Sequence, residues 1–220
     1  MNTLLDRRNF LASSSIVMLA FAGLYSFVST QGWAASVEDL DKGLESDFYG
    51  TLDLPPGFRY VLCSETGETM DDGLVVPGKH DGMGAFAGVG GRTILIRNHE
   101  LTSEISEPGP FGPKKALLRR VPRDKLFDAG KGTKPANGGT TTLVFNTKEQ
   151  KFEKHFLSLA GTVRNCAGGV TPWGTWVTCE EDTGRPNEGG QNSDDPMEQA
   201  HGWNFEVIRR TSPGWPTRCR

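Results

Sequence analysis

The chain has 220 residues with 24 basic and 27 acidic side chains, a formal net charge of −3. A mildly acidic chain lacks the electrostatic footprint of a nucleic-acid binder. Its 28 glycines and 13 prolines, with few long helical patterns, lean toward many short strands and turns in one domain.

Residues 1–34 read as an export signal. Arg7-Arg8 precede Phe10-Leu11, followed by Ser13 to Ser15, a mostly apolar run from Ile16 to Val28, and Gly32-Trp33-Ala34 with small outer residues. That order of charged, apolar and small-residue regions is a secretory signal, and the paired arginines point to the twin-arginine export machinery. The apolar run is shorter than the roughly 20 residues of a spanning helix, so no stable membrane span is expected. Losing Asp6, Arg7 and Arg8 with the signal moves the charge from −3 to −4. The expected location is periplasmic or secreted. Such a compartment permits disulfides, but Cys63, Cys166, Cys179 and Cys219 are too few for a disulfide scaffold in a chain of this length.

Ser36 to Phe48 is a charged lead-in, loose or helical. Leu54-Pro55-Pro56-Gly57-Phe58 makes a turn before an expected strand, Arg59 to Ser64. The glycine-rich stretch Gly67 to Gly91 leads to Thr93-Ile94-Leu95-Ile96-Arg97, a short β-branched run that predicts a strand. Leu101 to Ala136, with Lys114, Lys115, Arg119, Arg120 and Arg123, reads as a solvated insertion. Strands are then predicted at Thr140–Phe145, Lys154–Leu159, Thr175–Glu180 and Trp203–Val207. The spacing implies antiparallel sheets in a sandwich, a barrel or propeller blades. No precise internal repeat is visible. From Ile208 to Arg220 the pattern is lost and four of the residues are arginine, an aberrant tail that reads as a frameshift or a broken gene model, against a natural basic tail.

The densest chemistry lies between Arg164 and Asp182. Thr171-Pro172-Trp173-Gly174 suits a β-turn. A hairpin built on it sets Val170 opposite Thr175 and Cys166 opposite Cys179, with Glu180 and Glu181 just beyond. Two readings stay open. Cys166 and Cys179 form a disulfide or are simply buried beside a solvated strand end, or Cys166 supplies a thiolate and the acids supply oxygen ligands to a metal. A second candidate pocket is Asn98, His99 and Glu100 after Arg97, against plain loop hydrogen bonding. A third is His80-Asp81-Gly82, where Asp81 is either a turn residue or reaches a ligand. No nucleophile elbow, P-loop or dinucleotide fingerprint is present.

Together these segments resemble the PhoX family of exported bacterial alkaline phosphatases. The resemblance rests on the twin-arginine start, Asp53-Leu54-Pro55-Pro56-Gly57-Phe58, Asp81-Gly82-Met83, Arg97-Asn98-His99-Glu100 and Gly139-Thr140-Thr141. Asn165-Cys166-Ala167-Gly168-Gly169 through Cys179-Glu180-Glu181 completes it. It implies an all-β fold, a partial β-propeller of antiparallel blades over residues 35–207, truncated before the aberrant tail at 208–220. It implies iron and calcium as cofactors, Cys166 as an iron ligand, and Glu181, then Glu180, as metal ligands. Asn98, His99 and Glu100 would share the pocket, and phosphate monoesters would be the substrates. A truncated chain is expected to be an incomplete or inactive phosphatase. The rival readings are a non-catalytic exported propeller that binds a ligand, and an exported propeller oxidoreductase.

Overall fold

The computed structural model describes residues 43–48, 50–104, 106, 108–186 and 197–212. The export signal and residues 213–220 lie outside them. The chain divides into two compact units, Met1–Val61 and Leu62–Arg220. In the first, Glu45 bridges Leu54, and the Asp47 carboxylate accepts the amides of Thr51 and Leu52 and the hydroxyl of Tyr60. The described part of the lead-in, residues 43–48, contains no helix.

The second unit is all-β. Strands β1 (His80–Ala87), β2 (Arg92–His99), β3 (Gly138–Asn146) and β4 (Lys151–Thr162) form one meander in that order. Strands β5 (Asn165–Val170), β6 (Thr175–Glu180) and β7 (Asn204–Ile208) form a second. Every pairing between these strands is antiparallel. The result is a partial β-propeller, and among the described residues the two sheets do not close a ring. No helix of the described residues is long and apolar enough to cross a membrane.

Five predicted strands form, as β2, β3, β4, β6 and β7. Arg59 to Ser64 does not. Its apolar members Val61 and Leu62 are 78% and 58% exposed, so extending it would bury little. In exchange there is β1, a strand hidden by its glycines. Its sequence, His-Asp-Gly-Met-Gly-Ala-Phe-Ala, alternates in burial toward its end. Gly84 must lack a side chain there, since a Cβ would sit 2.6 Å from Cε3 of Trp176.

That close approach belongs to the core between the sheets. Phe86, Ile94, Ile96 and Leu159 from the first meet Trp176, Phe205 and Val207 from the second. On its other face the first sheet is covered by Met70, Leu74, Val76, Phe111 and Val121. The insertion is therefore more than a solvated loop: Leu101 and Phe111 are fully buried. Its basic residues Lys114, Arg119, Arg120 and Arg123 remain exposed, as expected.

Candidate metal centre

The β5–β6 hairpin differs from its expected register in an informative way. Gly174 has φ +83, and the Gly174 amide donates to the Thr171 carbonyl. The loop is thus a turn ending in a left-handed glycine, which shortens the connection by one residue. Thr171 meets Thr175, and Val170 pairs with Trp176 rather than with Thr175. The register then shifts again between Asn165 and Gly168, so that Asn165 pairs with Glu180. Cys166 and Ala167 occupy that bulge. Bulges re-aim a side chain at the end of a ladder, and here it is the Cys166 thiol that is turned. Cys166 and Cys179 are both free thiols, so no disulfide joins them.

The first hairpin repeats the device. His80 pairs with His99 and Met83 with Arg97, with a register shift between. Asp81 therefore stands to β1 as Cys166 stands to β5, and Glu100 follows β2 as Glu181 follows β6. The two hairpins are a structural repeat that residue identities conceal. Each sends one residue from its first-strand bulge and one from just past its second strand.

These residues meet. One ligand atom each from Asp81, Glu100 and Cys166 lies within 4.8 Å of the others, with Asp81 exposed and the other two half-buried. Hydrogen bonds from the Cys166 thiol to the Asp81 and Glu181 carboxylates, with burial adding to them, push its pKa up to about 11. Asp81, Glu100 and Cys166 thus converge at one end of both sheets, with the Glu181 carboxylate also beside the thiol. A thiolate suits a transition ion and carboxylates suit hard cations, so this donor set fits a metal centre.

The other candidates take different places. Glu180 faces the interior. Its Oε1 accepts the Val163 amide and lies 2.7 Å from Nδ1 of His201, and its Oε2 accepts the amides of Gly202 and Trp203. His99 is fully buried. Its Nδ1–H donates to the Gly78 carbonyl and its Nε2 accepts the Thr141 hydroxyl, while burial pulls its pKa down to about 3. It is a neutral tie within the first sheet. Asn98 reaches the site only through the backbone of the β5 bulge. Asp81 is the residue that the sequence undervalued.

Residues 35–215 match the family of PhoX alkaline phosphatases. The chain belongs to the PhoX alkaline phosphatase family. No curated protein and no solved structure gives a significant match. Members of the PhoX family are metal-dependent phosphatases, and the Asp81–Glu100–Cys166 cluster falls inside the matched span.

Proposed function

We propose that this chain forms part of a calcium- and iron-dependent phosphomonoester hydrolase of the PhoX type. The observation that carries the reading is the convergence of Asp81, Glu100 and Cys166, with Glu181 on the same thiol, in a member of this family. Cys166 would hold iron, and the Asp81, Glu100 and Glu181 carboxylates would divide between iron and calcium. When bound, the cations supply positive charge that offsets the charge of a phosphate ester and of its leaving oxygen.

The chain's own residues prepare the place. The Asp81 and Glu181 carboxylates accept the Sγ–H of Cys166, and binding of a cation at the thiol would require loss of that proton. Asp81 and Glu181 are exposed, which leaves the centre open to a phosphate monoester. Export through the twin-arginine route would deliver the folded protein to the periplasm or beyond, and it rests on Arg7-Arg8 and the short apolar run after them.

The test is to purify the full chain from cells supplied with iron and calcium, measure its metal content, and assay hydrolysis of p-nitrophenyl phosphate. Bound iron and calcium with turnover that a chelator abolishes would support the reading. A metal-free preparation that neither binds these ions nor hydrolyses the ester would overturn it for this chain.

A further inference from the structure

The bulge that aims Cys166 must itself be held. A bulge interrupts the ladder, which leaves the carbonyls of Cys166 and Ala167 to find partners away from the neighbouring strand. The residue that meets this need lies on the other sheet. Asn98 on β2 is fully buried. Its Nδ2 donates to the Cys166 carbonyl at 2.8 Å and to the Ala167 carbonyl at 3.1 Å. Its Oδ1 accepts the Trp176 indole N–H at 2.9 Å. That last bond orients the amide, because only a flip that places oxygen toward the indole leaves both N–H groups for the carbonyls. Gly82 closes the arrangement from β1, since a Cβ there would lie 2.6 Å from the Cys166 oxygen.

We propose that Asn98 is the positioning residue of the metal centre, clamping the Cys166–Ala167 bulge so that the thiol faces Asp81, Glu100 and Glu181. The role rests on Cys166 being a metal ligand. The polar atoms of its side chain bond to protein groups, so it acts through the β5 backbone, with Trp176 setting its orientation. It also ties β2, which leads into Glu100, to β5, which carries Cys166, so one side chain fixes the spacing of two ligands.

The test uses the metal-free full chain and cobalt(II) as the probe, reading the sulfur-to-cobalt charge-transfer band. Asn98→Ala should weaken cobalt binding by about 10–100-fold, the usual cost of losing a group that orients a ligand. Trp176→Phe, which keeps an aromatic ring but loses the indole N–H, should weaken it less, and it serves if the alanine variant does not fold. Met70→Ala, in the core on the far side of the first sheet, should lower stability and leave the cobalt titration unchanged. Without metal, loss of the clamp should move the backbone carbonyl carbon signals of Cys166 and Ala167 upfield. Unchanged cobalt affinity in both Asn98→Ala and Trp176→Phe, or an equal loss in Met70→Ala, would overturn the positioning role. A wild-type chain that shows no thiolate band would overturn the metal reading and the role with it, and the carbonyl signals would then report the clamp alone.

Discussion

Nδ1 of His201 lies 2.7 Å from Oε1 of Glu180, and its other ring nitrogen lies 3.3 Å from Oδ2 of Asp128. All three side chains are essentially excluded from water. Asp128 also accepts the amides of Gly130, Glu198 and Gln199. A single ring therefore joins the insertion, the end of β6 and the segment leading into β7. Burial alone would pull the His201 pKa down, but its bonds to Asp128 and Glu180 outweigh that and hold it at about 9. The ring is an imidazolium between two carboxylates, and removing any partner leaves buried charge unpaired.

The first expectation is a stability loss at alkaline pH. A histidine whose pKa is raised in the folded state stabilises fully below its ordinary value of 6.5, and that stabilisation fades as pH rises toward about 9. The loss amounts to about 3 kcal/mol. Asp128 works in the opposite direction. Burial would raise its pKa, but the His201 bond and three amides hold it below 3.8, so its stabilisation is present above 3.8 and lost as pH falls. Urea unfolding from neutral to strongly alkaline pH should show the decline in the wild type and a flatter profile in His201→Gln. Parallel profiles would mean that the ring is not charged at neutrality.

The glycines of the site region should separate into two kinds. Gly84→Ala places a Cβ 2.6 Å from the Trp176 ring and should cost about 1–3 kcal/mol by overpacking. Gly169→Ala meets nothing within 4 Å and should be neutral, or stabilising by about 0.4–1 kcal/mol through the unfolded chain. Denaturation midpoints of the two variants check this, and similar midpoints would contradict the close packing of β1 on β6.

What the sequence made legible follows the physics of each element. The strands β2, β3 and β4 contain apolar or β-branched runs whose burial needs only the sheet, so Thr93–Arg97, Thr140–Phe145 and Lys154–Leu159 declared themselves. β1 did not, because Gly84 serves a partner ring 92 residues away in the chain, a tertiary demand that no local pattern carries. The hairpin register was off by one where Gly174 turns left-handed, and a bulge at Cys166 restored it at Asn165. The likeness of Asp81 to Cys166 stayed hidden for a related reason: the repeat lies in pairing and bulge position, not in residue type. Glu180 and Glu181 could not both face one site from an extended segment, since successive side chains point to opposite sides.

Export should depend on the arginine pair. Replacing Arg7 and Arg8 together by lysine should leave the precursor in the cytoplasm, read by fractionation and immunoblotting. Undiminished export of the double variant would point to the general secretory route.

The two neighbouring glutamates give the sharpest contrast. Glu180 is enclosed by His201 and three backbone amides. Glu180→Gln leaves the imidazolium short of one counter-charge and turns an N–H toward donors, so stability should fall by about 3–5 kcal/mol. Metal binding measured well below the unfolding temperature should change little. Glu181 is exposed and accepts the Cys166 thiol. Glu181→Gln should therefore leave stability within about 0.5 kcal/mol, while a ligand amide in place of a carboxylate should lower metal affinity about 10-fold or more. Cys166→Ser should behave like Glu181→Gln and lose iron more completely than calcium, because a hydroxyl is a poor replacement for a soft thiolate. Equilibrium dialysis with each ion, alongside thermal unfolding of the same preparations, separates the effects. The reverse pattern, with metal lost in Glu180→Gln and stability lost in Glu181→Gln, would place Glu180 in the metal centre and Glu181 in the fold.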